Sequence, residues 1–197
     1  MNMQLKTSLK ALALFGATLL APQALAADYV IDSKGAHASI NFKIKHLGYS
    51  WVVGRFDKFD GEFSYDNTKP SELSIQVNID PASVNSNHAE RDKHIRGNDF
   101  LDVTKFETAR FVSTSFRPDA DNSDEGVLVG DFTLRGVTKQ IEIDVEKVGE
   151  GKDPWGGVRV GFEGETEITM KDFGIPMDLG PDSATVALEL HVEGIRK

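Results

Sequence analysis

Residues 186–193 read Val-Ala-Leu-Glu-Leu-His-Val-Glu, and this short run sets the class of fold. Val186, Leu188, Leu190 and Val192 fall on one side of an extended chain, and Glu189, His191 and Glu193 fall on the other. One dry face and one wet face at a period of two mark a half-buried strand. The pattern recurs upstream. Ile40, Phe42 and Ile44 oppose Asn41, Lys43 and Lys45, and Leu73, Ile75, Val77 and Ile79 oppose Ser74, Gln76 and Asn78. Ile141, Ile143 and Val145 oppose Glu142, Asp144 and Glu146. Val158, Val160, Phe162 and Ile168 oppose Arg159, Glu163, Glu165 and Glu167.

Turn-forming sequences separate these runs: Asp119 to Asp124, Arg135-Gly136-Val137-Thr138, and Asp153-Pro154-Trp155-Gly156-Gly157. Connections this short make antiparallel hairpins and leave no room for crossover helices, so the chain reads as one all-β domain of about eight strands. A closed barrel and a two-sheet sandwich both put alternate residues inside, and the pattern alone does not separate them. Gly54, Gly61, Gly130, Gly161 and Gly164 sit in or beside strand patterns, where glycine permits the bends of closure. They would serve equally as neighbours of loops.

One segment breaks the alternation. Residues 87–106, NHAERDKHIRGNDFLDVTKF, are charged and end in Phe100 and Phe106, and the spacing predicts a short helix around 87–97. On it, Ala89, Lys93 and Arg96 share one flank, while His88, Arg91, Asp92 and Ile95 recur at spacings of three and four. Glu90 can pair with Lys93 or His94, and Asp92 with Arg96. Two readings stand side by side: a solvated helix laced with weak ion pairs, or a polar rim in which His88, Arg91 and His94 donate to an oxygen-bearing headgroup at a cavity mouth.

The ends and the composition narrow the setting. Lys6 and Lys10, the apolar run 11–21, and Ala24-Leu25-Ala26 have the form of a secretory signal peptide over residues 1–26, cleaved to leave a domain at 27–197. That run is too short to span a bilayer, and the expected product is soluble and periplasmic. The chain has no cysteine, so an exported fold must hold without disulfides, and both a thiol nucleophile and a lipid-anchored amino terminus are excluded. The formal net charge is −9, with acids outnumbering bases more than two to one beyond residue 118. An acidic surface repels nucleic acid and anionic lipid, which are set aside as main partners.

Motifs for chemistry are sparse. His88 and His94 are six apart, which fits neither a helical metal pair nor HExxH, and His37, His46 and His191 have no ligand cluster nearby in sequence. No metal is expected. No GxSxG elbow, phosphate loop or dinucleotide fingerprint occurs. Asp57 and Asp60 are among many acid pairs that solvation explains. No catalytic residue is assigned. The aromatics say more: Trp51, Phe56, Phe59, Phe63 and Tyr65 crowd one window, followed by Phe100, Phe106, Phe111, Phe116, Phe132, Phe162 and Phe173. Rings mostly fill cores, yet a single-layer barrel of this size has a wide interior that rings could line.

Five stretches together resemble the YceI-like family of bacterial periplasmic proteins, also described as polyisoprenoid-binding and lipocalin-like. They are ADYVIDSKGAHASINFKIKHLGYSWVVGRFDKFDGEF at 27–63, NHAERDKHIRGNDFLDVTKFETARF at 87–111, GDFTLRGVTK at 130–139, DPWGG at 153–157, and GFEGETEITMKDFGIPMDLGP at 161–181. The resemblance spans nearly the whole domain in order. It implies an extended eight-stranded antiparallel lipocalin-like barrel around a long apolar tunnel that holds a polyisoprenoid, a quinone-type lipid or another long-chain amphiphile, and it allows a homodimer. It implies no catalytic residue, metal or cofactor beyond the bound lipid.

The expected tunnel residues are Phe42, Ile44, Trp51, Phe56, Phe63, Phe100, Phe106, Phe111, Phe132 and Phe162. The leading expectation is a binder or carrier of such a lipid. The alternatives are an enzyme acting on it through His88 or His94 beside Glu90 or Asp92, and an acidic envelope protein that docks a basic partner and holds no ligand. Envelope stress, quinone traffic and lipid scavenging are all open as settings.

Overall fold

The computed structural model describes residues 26–197, so the expected signal segment lies almost wholly outside the described residues. Eleven strands follow in order. They are β1 (Ala27–Ile31), β2 (Ser39–His46), β3 (Ser50–Phe56), β4 (Phe59–Tyr65), β5 (Ser74–Ile79), β6 (Val84–Asn85), β7 (Ala109–Pro118), β8 (Glu125–Leu134), β9 (Val137–Lys152), β10 (Val158–Thr169) and β11 (Thr185–Arg196). One α-helix, α1 (Ala89–Ile95), lies between β6 and β7.

Eleven segments make eight staves. β11 gives one edge to β10 along its length and shares the other between two strands, with β2 paired to Val186–His191 and β1 to Gly194–Arg196. β1 and β2 are therefore one stave interrupted by residues 32–38. On their far side, β2 pairs with β3 and β1 with β4, so β3 and β4 form a second bent stave, broken at residues 57–58. β5 and β6 make a third, pairing with β4 and β3 in turn. β7 to β11 are single staves joined by hairpins, every contact is antiparallel, and β1 with β11 closes the ring. The result is the expected closed eight-stranded barrel, not a sandwich.

Local chemistry sets the details. Arg135 and Gly136 both adopt positive φ, 50° and 73°, in a two-residue turn whose twist suits a hairpin. Val137 and Thr138 belong to β9 rather than to the turn. Closure also needs rings to cross strands closely. The ring of Phe111 on β7 packs over Gly130 of β8, and Phe42 packs over Gly54 of β3; a Cβ at either glycine would collide with the ring.

The 32–38 excursion is held by charge. Asp32 Oδ2 accepts from Arg159 at 2.8 Å and lies 2.9 Å from His37 Nδ1, and Gly35 N–H donates to Oδ1 at 2.9 Å. Arg159 also donates to Asp153 at 2.9 Å and to Glu193, tying the first stave, the β9–β10 turn and the last strand into one knot. The His37 and Arg159 contacts hold the Asp32 carboxyl down at about 2.

A carboxyl depressed in the folded state contributes stability above the usual carboxylate range and loses it as pH falls toward 2. Asp32 should therefore contribute on the order of 1–2 kcal/mol above pH ~4 that disappears between pH ~4 and ~2. Denaturant melts across that window should show Asp32→Asn less stable at neutral pH and with a flatter pH dependence than the native chain.

Candidate functional site

Inside the ring is a cavity of about 220 Å3. Inward residues of several staves line it, and of these Thr166 alone carries a polar side chain; Glu163 borders the space from a strand position whose side chain faces solvent. Thr166 spends its hydroxyl on the Glu142 carbonyl at 2.6 Å, and a glycine, Gly164, faces the space between Phe162 and Thr166. Val186, Leu188, Leu190 and Val192 point inward from β11 yet are only half-buried, because part of their surface looks onto the cavity. A core filled by its own side chains would bury such positions fully. The wall is interrupted between β9 and β10, which pair only as far as Asp144 and Glu165 although β10 runs on to Thr169, and again beside β3, which β6 meets only at Arg55 and Phe56.

Each end of the cavity is built differently. At one end Tyr29 stacks on Phe63 at 5.0 Å between ring centres, and Phe162 meets Phe63 and Tyr65 edge-on at 5.8 and 5.2 Å. Such contacts are favourable beyond the area they bury and make a rigid plug. Toward the other end lies α1, which contributes Ile95 to the cavity wall, with Phe100 and Leu101 from the segment that follows. That segment is tied down by Arg135, whose guanidinium donates to the carbonyls of Gly174 at 2.6 Å and Asn98 at 3.0 Å.

The helix is short and needs outside help to stand. His88 is its N-cap, with Nδ1 accepting from the Arg91 amide at 3.2 Å. Asp92 is buried and accepts from both the amide and the hydroxyl of Ser86, while Arg91 donates to the Ser86 hydroxyl at 2.7 Å and carbonyl at 2.6 Å. Burial alone would push the Asp92 carboxyl up; the Ser86 hydrogen bonds, with Arg96 and Arg91 nearby, outweigh it and hold the group below its ordinary value. Among the described residues Glu90 forms no ion pair, and Asp92 is bonded to Ser86 rather than paired with Arg96.

Of the ten residues expected in the tunnel, Phe42, Ile44, Phe56 and Phe63 line the cavity, as do Phe100, Phe111, Phe132 and Phe162. Two expectations are corrected. Trp51 is 53 % exposed on the outer face of β3, because it takes the opposite parity to Val52, which pairs with the inward Ile44. Phe106 lies outside as well, packed on Gly136 with the Arg135 guanidinium 5.5 Å above its ring.

The three residues expected at a headgroup rim are engaged elsewhere in the fold. His88, Arg91 and His94 do not line the cavity: the first caps the helix, the second anchors it, and the third packs edge-on against Phe100 from outside at 5.1 Å. Ile44 apart, the aliphatic half of the lining lies beyond the expected set. Val186 to Val192 on β11 carried the signal in their alternation, but ring-bearing residues drew the assignment. Asp32, His37 and Glu193 do converge, unlike anything their spacing suggests, yet the Arg159 guanidinium already engages the carboxylates of Asp32 and Glu193.

A family model described as the YceI-like domain matches residues 29–194. The chain is 61% identical over 185 residues to a UPF0312 protein of Shewanella denitrificans, covering 93% of this chain and 96% of that one. The solved YCEI protein of Campylobacter jejuni is similar with a TM-score of 0.70 at 29% identity, over 79% of this chain and 91% of that one. A polyisoprenoid binding domain from Saccharophagus degradans superposes with a TM-score of 0.59 over 88% of this chain and all of its own, at 14% identity, a likeness of fold.

The helix anchor gives a test of these placements. Asp92→Ala strands the Ser86 amide and should cost about 2–4 kcal/mol in denaturant unfolding. His94→Ala, on an exposed side chain behind Phe100, should cost less than about 1 kcal/mol.

Proposed function

The chain belongs to the YceI-like domain family, and from that premise we propose that it is a periplasmic binding protein that sequesters or carries a long-chain isoprenoid lipid in its barrel. One observation carries the reading: a closed all-β wall surrounds unfilled space whose lining is apolar almost without exception. Such space has little to offer a sugar, a nucleotide or a metal, since each would lose hydration with nothing in return. A hydrocarbon tail gains roughly 0.8 kcal/mol for each methylene-sized group removed from water. The name of the Saccharophagus degradans neighbour, a polyisoprenoid binding domain, points to the same ligand chemistry.

Walls of this kind discriminate coarsely. They sense the length and bulk of a tail, and ordering a flexible chain limits the gain from each added unit. The interruption between β9 and β10 is a route by which a tail can pass the wall, since fewer backbone hydrogen bonds must open there. Binding is favoured over turnover by the placement of His88 and His94, which are committed to the helix and its packing outside the lining. No helix among the described residues is long and apolar enough to cross a membrane.

The test is uptake of a series of polyprenols of increasing length by the purified chain and by Leu188→Trp, which places an indole in the cavity. The native chain should take up long polyprenols one to one. The variant should fold with native far-ultraviolet circular dichroism, bind the longest members at least tenfold more weakly and shift its preference to shorter tails. Equal uptake of the whole series by both proteins would mean that the lipid does not occupy the barrel.

A further inference from the structure

The hairpin of β2 and β3 is unlike the rest of the surface. Residues 39–56 contain no acid, in a chain with 31 of them, and they include Lys43, Lys45, His46 and Arg55. Around the turn, Leu47, Tyr49, Trp51 and Val53 are 52%, 86%, 53% and 60% exposed. Trp51 is the residue expected inside and found outside. Across the strand pair it lies beside Lys45, and Val53 beside Lys43; both ammonium groups sit within about 6 Å of the indole ring. Leu47 holds φ at 51°, a left-handed conformation that a branched apolar residue adopts at a cost, and it does so at the exposed tip.

The fold does not need any of this. The inner face of the hairpin packs the barrel through Phe42 and Ile44, while its outer face covers nothing among the described residues. Among the described residues β3 has only β2 as a partner over 50–54, since β6 reaches only Arg55 and Phe56.

From these features we infer that the β2–β3 hairpin docks the protein on a phospholipid bilayer surface. Tryptophan, tyrosine and lysine side by side are the residues that settle at a membrane–water interface, with rings at headgroup depth and ammonium groups reaching phosphate oxygens. The unpaired edge of β3 limits the depth, because backbone amides without partners are tolerated among headgroups and not in hydrocarbon. The four apolar side chains expose on the order of 500 Å2, well short of the ~800 Å2 per partner typical of a stable protein pair, which favours a bilayer over a second copy.

Charge orients the contact. Lys43 is paired with Glu189, Arg55 with Asp57, and Asp182 lies beside Gly48, so the hairpin is only locally basic. By contrast, the outer face of β9 to β11 sets Asp144, Glu165 and Glu189 in one row and Glu146 beside Glu163 in the next. Headgroup phosphates repel that face and leave the hairpin as the side that approaches.

Position links the hairpin to the cavity, and here the inference rests on the proposed lipid reading. β2 presents Phe42 and Ile44 to the cavity and Lys43 and Lys45 to the outside. Thr166, where the β9–β10 ladder is interrupted, pairs with Leu188, which pairs with Phe42, so the interruption and the hairpin lie at the same end of the barrel. Docking therefore brings the gap in the wall toward the bilayer that holds an otherwise insoluble lipid.

The experiment uses vesicles of phosphatidylethanolamine and phosphatidylglycerol, 3:1, and the full domain in a Trp155→Phe background, which leaves Trp51 as its sole tryptophan. Co-sedimentation with vesicles and a blue shift of Trp51 emission are expected. Tyr49→Ser with Trp51→Ser should lower the sedimented fraction at least fivefold, and Lys45→Glu at least twofold, with polyprenol uptake from dilute detergent unchanged. Failure of the parent to sediment, or equal sedimentation of the variants, overturns the docking proposal and leaves the cavity reading standing. Loss of a dimer by light scattering in the serine variant, with vesicle binding intact, overturns it in favour of self-association. Loss of polyprenol uptake with vesicle binding intact would count against the cavity reading instead.

Discussion

Everything in this molecule follows from the last strand having to serve three neighbours. β11 spends one edge on β10 and divides the other between β2 and β1, and that division turns a meander of hairpins into a ring. A closed ring leaves few unsatisfied backbone groups on its wall, so the wall stands without a filled centre. Chains that cannot close must pack a second layer against their apolar face. This one closes, and its inward leucines and isoleucines face each other across space.

Closing the wall creates a problem at the two ends, and the sequence solves it with different chemistry at each. Tyr29, Phe63, Tyr65 and Phe162 interlock as a ring-on-ring plug. At the other end a seven-residue helix, too short to hold itself, is fixed by a buried carboxylate on Ser86 and carries Ile95 into the cavity wall. The polar network around Arg159 performs a third task, holding the interruption in the first stave against the last strand. Charged groups thus fasten the edges of the structure and leave the interior apolar almost throughout.

The sequence carried the strands plainly, because alternation reports directly which side of a wall a residue faces. It also placed the helix, since His88, Arg91, Asp92 and Ile95 recur at helical spacing, but not the capping role of His88. Three staves were harder to see as units: residues 32–38, 57–58 and 80–83 interrupt them, and only long-range pairing shows that the pieces align. The site was legible where parity and residue type agreed, as for Phe42, Phe63 and Phe162. It was misread where aromatic character was trusted over parity, as for Trp51, and where the chain had already left the wall, as for Phe106. His88, Arg91 and His94 looked like a ligand rim because polar residues on a helix near an opening can serve either ligand or fold. Here the hydrogen bonds of His88 and Arg91 and the packing of His94 on Phe100 go to the fold.

The central claim is that the space within the barrel is built for a lipid tail. Native mass spectrometry of the protein taken from its own compartment without detergent tests it most directly. The account predicts a folded domain carrying one hydrophobic molecule per chain, released intact on activation and identified by its fragments as an isoprenoid. A chain that arrives empty, and stays empty when a polyprenol is supplied, would contradict it.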